Sequence, residues 1–375
     1  MLMPEPPDQA STYRMLGRSI RVEYDTSPGA AVLREELSRY PSASEAADLI
    51  VRFRPLVRSR GALVNPRSHD EFDGGFLLRE RTADVRFGFT GSRLTEVAFY
   101  PASSSSVLIA HARRMVDMQY SSREERAGVL FHELVLVPAA YWMPDVALVH
   151  ASAVAGEDGR VTLIGGTGGV GKTSLALELC LRRGFTFLAD DISFVGSEGH
   201  VWPNLAYPKI YAYNLEDDAD LAARLMRGRG LPDRIHWAVH RRRGAHFVRR
   251  RVAPDILYGS FDANGGPLHR YVILAREERS SIGVSDVDPG LAASMSASIM
   301  AAEYHAFHNH LYWHAFNRAV AGDEPSVLVQ EAIARWIEVL GRVLEGVDCR
   351  IVRVPLSIDH QTFKRELAGL LHTPT

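Results

Sequence analysis

Five glycines fall between Gly165 and Gly171, and a single lysine and a threonine follow at once. Gly166-Thr167-Gly168-Gly169-Val170-Gly171-Lys172-Thr173 satisfies G-x-x-x-x-G-K-[ST] at every fixed position. Such a stretch constrains the chain more than any other, because successive backbone N–H groups can converge on an anion only where the chain turns without side chains in the way. An apolar run, Val161–Ile164, precedes it, and a helix is expected from about Lys172 to Arg183 with Gly184 as its stop. That helix would aim its unpaired N–H groups at the same anion. Lys172 would reach the β- and γ-phosphates of a bound ATP or GTP, and the Thr173 hydroxyl would be a Mg2+ ligand. Only three of the 43 basic residues are lysines, Lys172, Lys209 and Lys364. A chain that otherwise uses arginine keeps the thinner point charge inside its narrow loop.

The apolar run Phe185–Ala189 that follows ends on Asp190 and Asp191. One helix and one return strand, placed beside the loop strand, separate these acids from Lys172. Such an acid pair can divide its work, one carboxylate holding the metal and the other accepting a proton from an attacking hydroxyl.

With 375 residues there is room for two or three domains. The division expected is a flexible tail over 1–14, a mixed α+β, strand-rich module over 15–143, and a catalytic α/β unit over 144–375 with a helical C-terminal extension. Arg18–Asp25, Ala47–Phe53, Phe76–Gly91 and Leu94–Pro101 have the alternation of strands and a hairpin. Ser103–Ser106 reads as a helix start or a loop. Val107–Tyr120 and Arg123–Met143 read as helices. Asp158-Gly159 marks a hairpin between two apolar runs. Helices are expected over Gly290–Val320 and Ser326–Leu344, and a strand then a helix at the C-terminus.

The net charge of −2 provides no global attraction to nucleic acid or membrane. No apolar stretch is as long as a membrane span. Two cysteines, Cys180 and Cys349, have neither metal nor disulfide-scaffold spacing. A reducing cytoplasm is the expected setting, and self-association stays open. His240–Arg251, with six arginines, reads as a solvated face or as an anion clamp. His305, His308, His310 and His314 lack a three-ligand zinc spacing. Tyr207–Asn214 could line a substrate pocket.

The stretch "HASAV…LIGGTGGVGKTSLALEL…RRGFTFLADDISFV" resembles the catalytic core of the HPr serine kinase/phosphorylase family. That resemblance implies a P-loop core shared with phosphoenolpyruvate carboxykinases, Mg-nucleotide as phosphoryl donor, and a hydroxyl acceptor. It places His150 near the transferred phosphate, makes Gly166 to Thr173 the nucleotide loop, gives Asp190 the role of base, and puts Asp191 in the metal region. The family's Glu-Leu-Arg-Gly signature after the acid pair is absent, and "VWPNLAYPKIYAYNLEDD" stands in that region. The resemblance is therefore to a divergent kinase acting on a peptide, protein or small-molecule hydroxyl. An NTPase switch without an acceptor is the alternative, and a decarboxylating carboxykinase is a weaker third.

Overall fold

The computed structural model describes residues 9–54, 70–72, 75–79, 83–101, 112, 114–120, 125–215, 218–324 and 327–372. Ser103–Ser106 and much of the expected helix over 107–120 lie outside them. The chain is a mixed α/β structure divided into two units.

One unit comprises Met1–Ser106, Ser122–Pro144 and Tyr304–Arg335. Among the described residues it holds a sheet of seven strands: β1 (Gln9–Met15), β2 (Arg18–Tyr24), β3 (Leu49–Phe53), β4 (Asp70–Phe72), β5 (Gly75–Arg79), β6 (Ala83–Thr90) and β7 (Arg93–Pro101). They run in the order β1-β2-β3-β7-β6-β5-β4, and the β2–β3 and β3–β7 pairs are parallel. Alternate residues of the central strands, Val51, Phe53, Val97 and Phe99, are buried, as a half-covered strand requires. Part of the expected tail is strand: β1 pairs antiparallel with β2, and Tyr13 and Met15 point inward. A helix that the sequence reading passed over, Pro28–Leu37, starts with Ser27, whose Oγ accepts from the Ala30 N–H, and with Pro28 in its first turn. The helical stretch Glu125–Trp142 contains a widened π turn over His132–Leu136, just before Pro138, which has no N–H to continue the regular ladder.

The other unit comprises Val107–Ser121, Asp145–Glu303 and Trp336–Thr375. Its strands are β8 (Val146–Val149), β9 (Ala151–Ala155), β10 (Val161–Gly165), β11 (Thr186–Ala189), β12 (Ser193–Gly196), β13 (His200–Trp202), β14 (Lys209–Tyr211), β15 (Arg249–Arg251), β16 (Gly266–Glu277), β17 (Gly283–Asp286) and β18 (Asp348–Pro355). The main sheet runs β11-β9-β10-β16-β13-β12-β8, with β18 on β16 and β17 on β18. β14 and β15 form a separate antiparallel pair. The loop strand β10 is buried along its whole length between β9, antiparallel, and β16, parallel. The hairpin at Asp158-Gly159 is present, with Gly159 at φ +75°. The return strand β11 does not lie beside β10. It pairs with β9, which the hairpin has already placed in that position.

The run from β8 to β9 and the run from β11 to β12 form two long antiparallel neighbours with a gap in their ladder. Val149 pairs with Ser193 and Ala153 with Ala189, while the three residues between on each chain do not pair with one another. His150 and Ser152 on one side, and Asp190 to Ile192 on the other, occupy that gap. Interrupted pairing re-aims side chains that a continuous ladder would alternate between two faces.

The loop after β10 depends on glycine at two contacts. Gly166 lies at φ +132°, and a Cβ there would stand 2.5 Å from the Leu274 carbonyl oxygen. Gly171 lies at φ +111°, and a Cβ there would stand 2.5 Å from the ring of Phe363, on the C-terminal helix His360–His372. Gly169, at φ +78°, has nothing within 4 Å of such a Cβ. Gly171→Ala should therefore lower thermal stability clearly more than Gly169→Ala. The latter meets only the backbone cost, of order 1–3 kcal/mol. Equal melting temperatures for the two variants would show that the Phe363 contact does not set the loop.

Candidate functional site: an anion cradle beside a divided acid pair

Helix Lys172–Arg182 opens directly from the glycine loop, as expected, and Gly184 follows its end at φ +75°. Lys172 is buried at its first position. Its Nζ donates to the carbonyl oxygens of Gly166 (2.9 Å) and Thr167 (3.0 Å), so the ammonium lies against the loop. Burial pushes its pKa down, and the charges of Asp191, Asp190 and Glu303 oppose that shift.

The two acids occupy different surroundings. Asp190 is 9% exposed. Its Oδ1 accepts from Ser152 Oγ at 2.6 Å and from Thr173 Oγ1 at 3.0 Å. Burial raises its pKa, and the charge of Asp191 adds to the rise. The Ser152 and Thr173 bonds and the Lys172 charge work the other way. Asp191 has a side chain 52% exposed, and its Oδ1 lies 3.1 Å from His150 Nε2. Its backbone is left-handed at φ +72°, a conformation that costs a non-glycine residue and that clusters at functional sites. Two adjacent residues thus send their carboxylates to opposite partners, one to the loop threonine and one to the histidine.

His150 sits at the junction of β8 and β9 rather than within a strand, and is 6% exposed. Its Nδ1 is buried without a hydrogen-bond partner and lies 3.9 Å from Glu303 Oε1. Glu303, at the end of helix Pro289–Glu303, was missed by the sequence reading. Its carboxylate accepts the Gly168 N–H at 2.7 Å. A carboxylate at the negative end of a helix is electrostatically disfavoured, so the loop N–H is a stabilising partner for it. The Gly168 N–H thus faces a carboxylate of the chain itself. Ser152 was also missed. No local pattern marks either residue, because both reach the site through tertiary packing.

The structure thus brings together His150, Gly168, Lys172, Thr173, Asp190 and Asp191 and adds Ser152 and Glu303. Gly166 and Gly171 shape the loop. Thr167 meets Lys172 through its carbonyl, and Val170 is buried. Thr173 and Asp190 offer paired hard oxygens of the kind that hold Mg2+ together with phosphate oxygens and water. Among the described residues no group of three or more His, Cys, Asp or Glu side chains is arranged to hold a metal by itself.

The arginine-rich segment separates into distinct environments. Arg241, Arg242 and Arg243 are exposed at the end of helix Leu231–Arg243. Arg250 is fully buried, bonded to Asp233 (Nε to Oδ1, 2.6 Å) and to His236 Nδ1 (2.9 Å). Of the histidine group, His308 bonds Tyr141 Oη at 2.6 Å within its own unit. No described helix is long and apolar enough to cross a membrane.

No protein-family model matches the chain, and no curated protein matches it. Among solved structures, the chain is similar to the HPr(Ser) kinase/phosphatase from Coxiella burnetii, with 13% identity and a TM-score of 0.27 over 60% of this chain and 93% of that one.

The raised pKa of Asp190 makes a pH prediction. In the window between the ordinary carboxylate value and the raised native value, the folded chain holds a proton that the unfolded chain has lost. Stability therefore falls as pH rises through that window. Asp190→Asn, which cannot ionise, should gain in melting temperature relative to wild type as pH rises from the acid side of the window towards neutrality. A difference that does not change with pH would mean that Asp190 is not held against ionisation by burial.

Proposed function

We propose that the chain is a nucleotide-dependent phosphotransferase, moving the terminal phosphoryl group of Mg-ATP or Mg-GTP to a hydroxyl of a peptide, protein or small-molecule acceptor. The observation that carries this reading is the division of the acid pair, with one carboxylate buried on the loop threonine and the other open beside a histidine.

In this reading the loop N–H groups and Lys172 bind the phosphates, and Lys172 turns from the loop carbonyls to the anion. Thr173 and Asp190 hold magnesium, which when bound offsets charge on the phosphates. Asp191 takes the proton of the acceptor hydroxyl as the hydroxyl oxygen bonds to the γ-phosphorus, the bond from that phosphorus to the β,γ-bridging oxygen breaks and the nucleoside diphosphate leaves; His150 orients the Asp191 carboxylate through its Nε2. The roles suggested by the family resemblance are thereby exchanged between the acids. Access is the reason: a base must touch the acceptor, and Asp190 is enclosed by Ser152 and Thr173 whereas Asp191 is open.

A nucleotide switch is the second reading, favoured by Glu303. A carboxylate and a phosphate oxygen cannot both accept the Gly168 N–H, so nucleotide entry would displace the end of a helix. The switch needs no acceptor.

Incubation with γ-labelled ATP and a panel of acceptors, including HPr, serine-containing peptides and cell extract, separates the two. Transfer of label to an acceptor is expected, falling by roughly 10²–10⁴-fold in Asp191→Asn, the usual worth of general base catalysis. In Asp190→Asn the magnesium requirement should rise. Label appearing only as free phosphate with every acceptor would overturn the transferase in favour of the switch. A loss of transfer in Asp190→Asn with Asp191→Asn unaffected would restore the base role to Asp190.

A further inference from the structure

We propose that Arg249, with Tyr211 and Tyr213, forms a second anion seat, built to take a carboxylate or phosphate group carried by the acceptor. The word acceptor rests on the phosphotransferase reading; the anion seat itself does not.

Three neighbouring arginines on β15 have different partners. Arg250 has the buried Asp233 carboxylate, which Arg229 shares at 2.8 Å. Arg251 donates from Nε to the Tyr207 carbonyl and lies over the Tyr207 ring. Arg249 is half-buried and faces no carboxylate among the described residues. Its Nη1 donates to Tyr211 Oη at 2.9 Å, its guanidinium lies 5.6 Å from the centroid of the Tyr211 ring, and its Nε is buried with no hydrogen-bond partner. A buried donor without an acceptor is costly, and more so on a charged group. A guanidinium presents its Nε and Nη donors as a planar fork that fits carboxylate or phosphate oxygens. An oxyanion is a partner whose geometry fits that fork.

The segment that carries Tyr211 is tied at both ends to elements of the acid-pair site. Asn204 donates from Nδ2 to the Ile192 carbonyl (2.7 Å) and from its backbone N–H to the Leu188 carbonyl (2.9 Å), which fixes one end of the segment 204–214 to the strands flanking Asp190 and Asp191. At the other end Asn214 Nδ2 donates to Ser174 Oγ (2.8 Å), one residue after Thr173, and Asn214 Oδ1 accepts the Tyr211 N–H (2.9 Å). Tyr211 pairs directly with Arg249 across β14 and β15. Tyr211 and Tyr213 stack at 5.3 Å with an angle of 16° between their rings. Tyr213 is pushed up to about 12, chiefly by burial, with the charge of Asp190 adding to the rise. An acceptor anchored by its anionic group at Arg249 would thus lie along the segment that joins the strands flanking the acid pair to the loop helix.

The test is calorimetric titration of inorganic phosphate into the full chain, first alone and then with Mg-ADP at saturation to fill the loop. A phosphate-binding event should persist with Mg-ADP present, weaken by roughly tenfold or more in Arg249→Gln, weaken less in Tyr211→Phe, and survive Lys172→Ala. Succinate titrated in place of phosphate distinguishes the sources. Tighter succinate indicates an acceptor bearing a carboxylate, tighter phosphate one bearing a phosphate, and either supports the seat. No event beyond the one that Mg-ADP abolishes, or an event unchanged in Arg249→Gln, would overturn it and make Arg249 a packing residue. If Arg249→Gln does not fold, Arg249→Lys carries the test. It keeps the charge but loses Nε and the fork, so it must weaken binding several-fold, and unaltered affinity would overturn the seat. Failure of Mg-ADP to bind at all would instead count against the nucleotide reading, and the phosphate titration without it would still report on Arg249.

Discussion

The arrangement of the site depends on the burial of one carboxylate. Asp190 is enclosed where the ladder between β8–β9 and β11–β12 opens, and it joins Ser152 on one strand to Thr173 on the loop helix. Removing a carboxylate from water costs several kcal/mol, and each hydrogen bond to a charged group returns only about 1.5–3 kcal/mol. Burial outweighs those bonds and raises the pKa of Asp190. A cation between Thr173 and Asp190 would offset it, so the magnesium site proposed above and the pH-sensitive stability draw on the same geometry.

Asp191 shows what the gap in the ladder achieves. In a regular strand, adjacent side chains alternate between two faces of one sheet. Here the left-handed backbone at Asp191 turns its carboxylate to His150 while Asp190 stays on Thr173. Two acids at consecutive positions thereby have unlike exposure, which is the ground for giving them different roles in the proposed transfer.

Much of this was legible in the sequence. The glycine loop, its strand and helix, the hairpin at Asp158-Gly159 and the stop at Gly184 are local, and local chemistry dictates them. The acid pair was legible as a pair, but not which acid is buried, because that depends on the break in pairing between segments some forty residues apart. Glu303 was illegible for a stronger reason. It lies 135 residues from Gly168 in an ordinary helical sequence, and only tertiary packing brings its carboxylate to the loop. Arg249 was hidden by its neighbours, since nothing in "RRR" distinguishes the arginine without an acid from the fully buried one beside it. The tail expected over 1–14 in fact supplies a strand from Gln9, since β1 needs its partner β2 to be recognisable.

If the Gly168 N–H serves a phosphate, as in the proposed function, then the Glu303 carboxylate competes for it. Titration of Mg-ATP against wild type, Glu303→Gln and Lys172→Ala tests it most directly. Wild type should bind, Glu303→Gln should bind more tightly because a competing anion has been removed, and Lys172→Ala should bind much more weakly, with all three chains folded. Equal affinity for wild type and Lys172→Ala, or weaker binding by Glu303→Gln than by wild type, would contradict it.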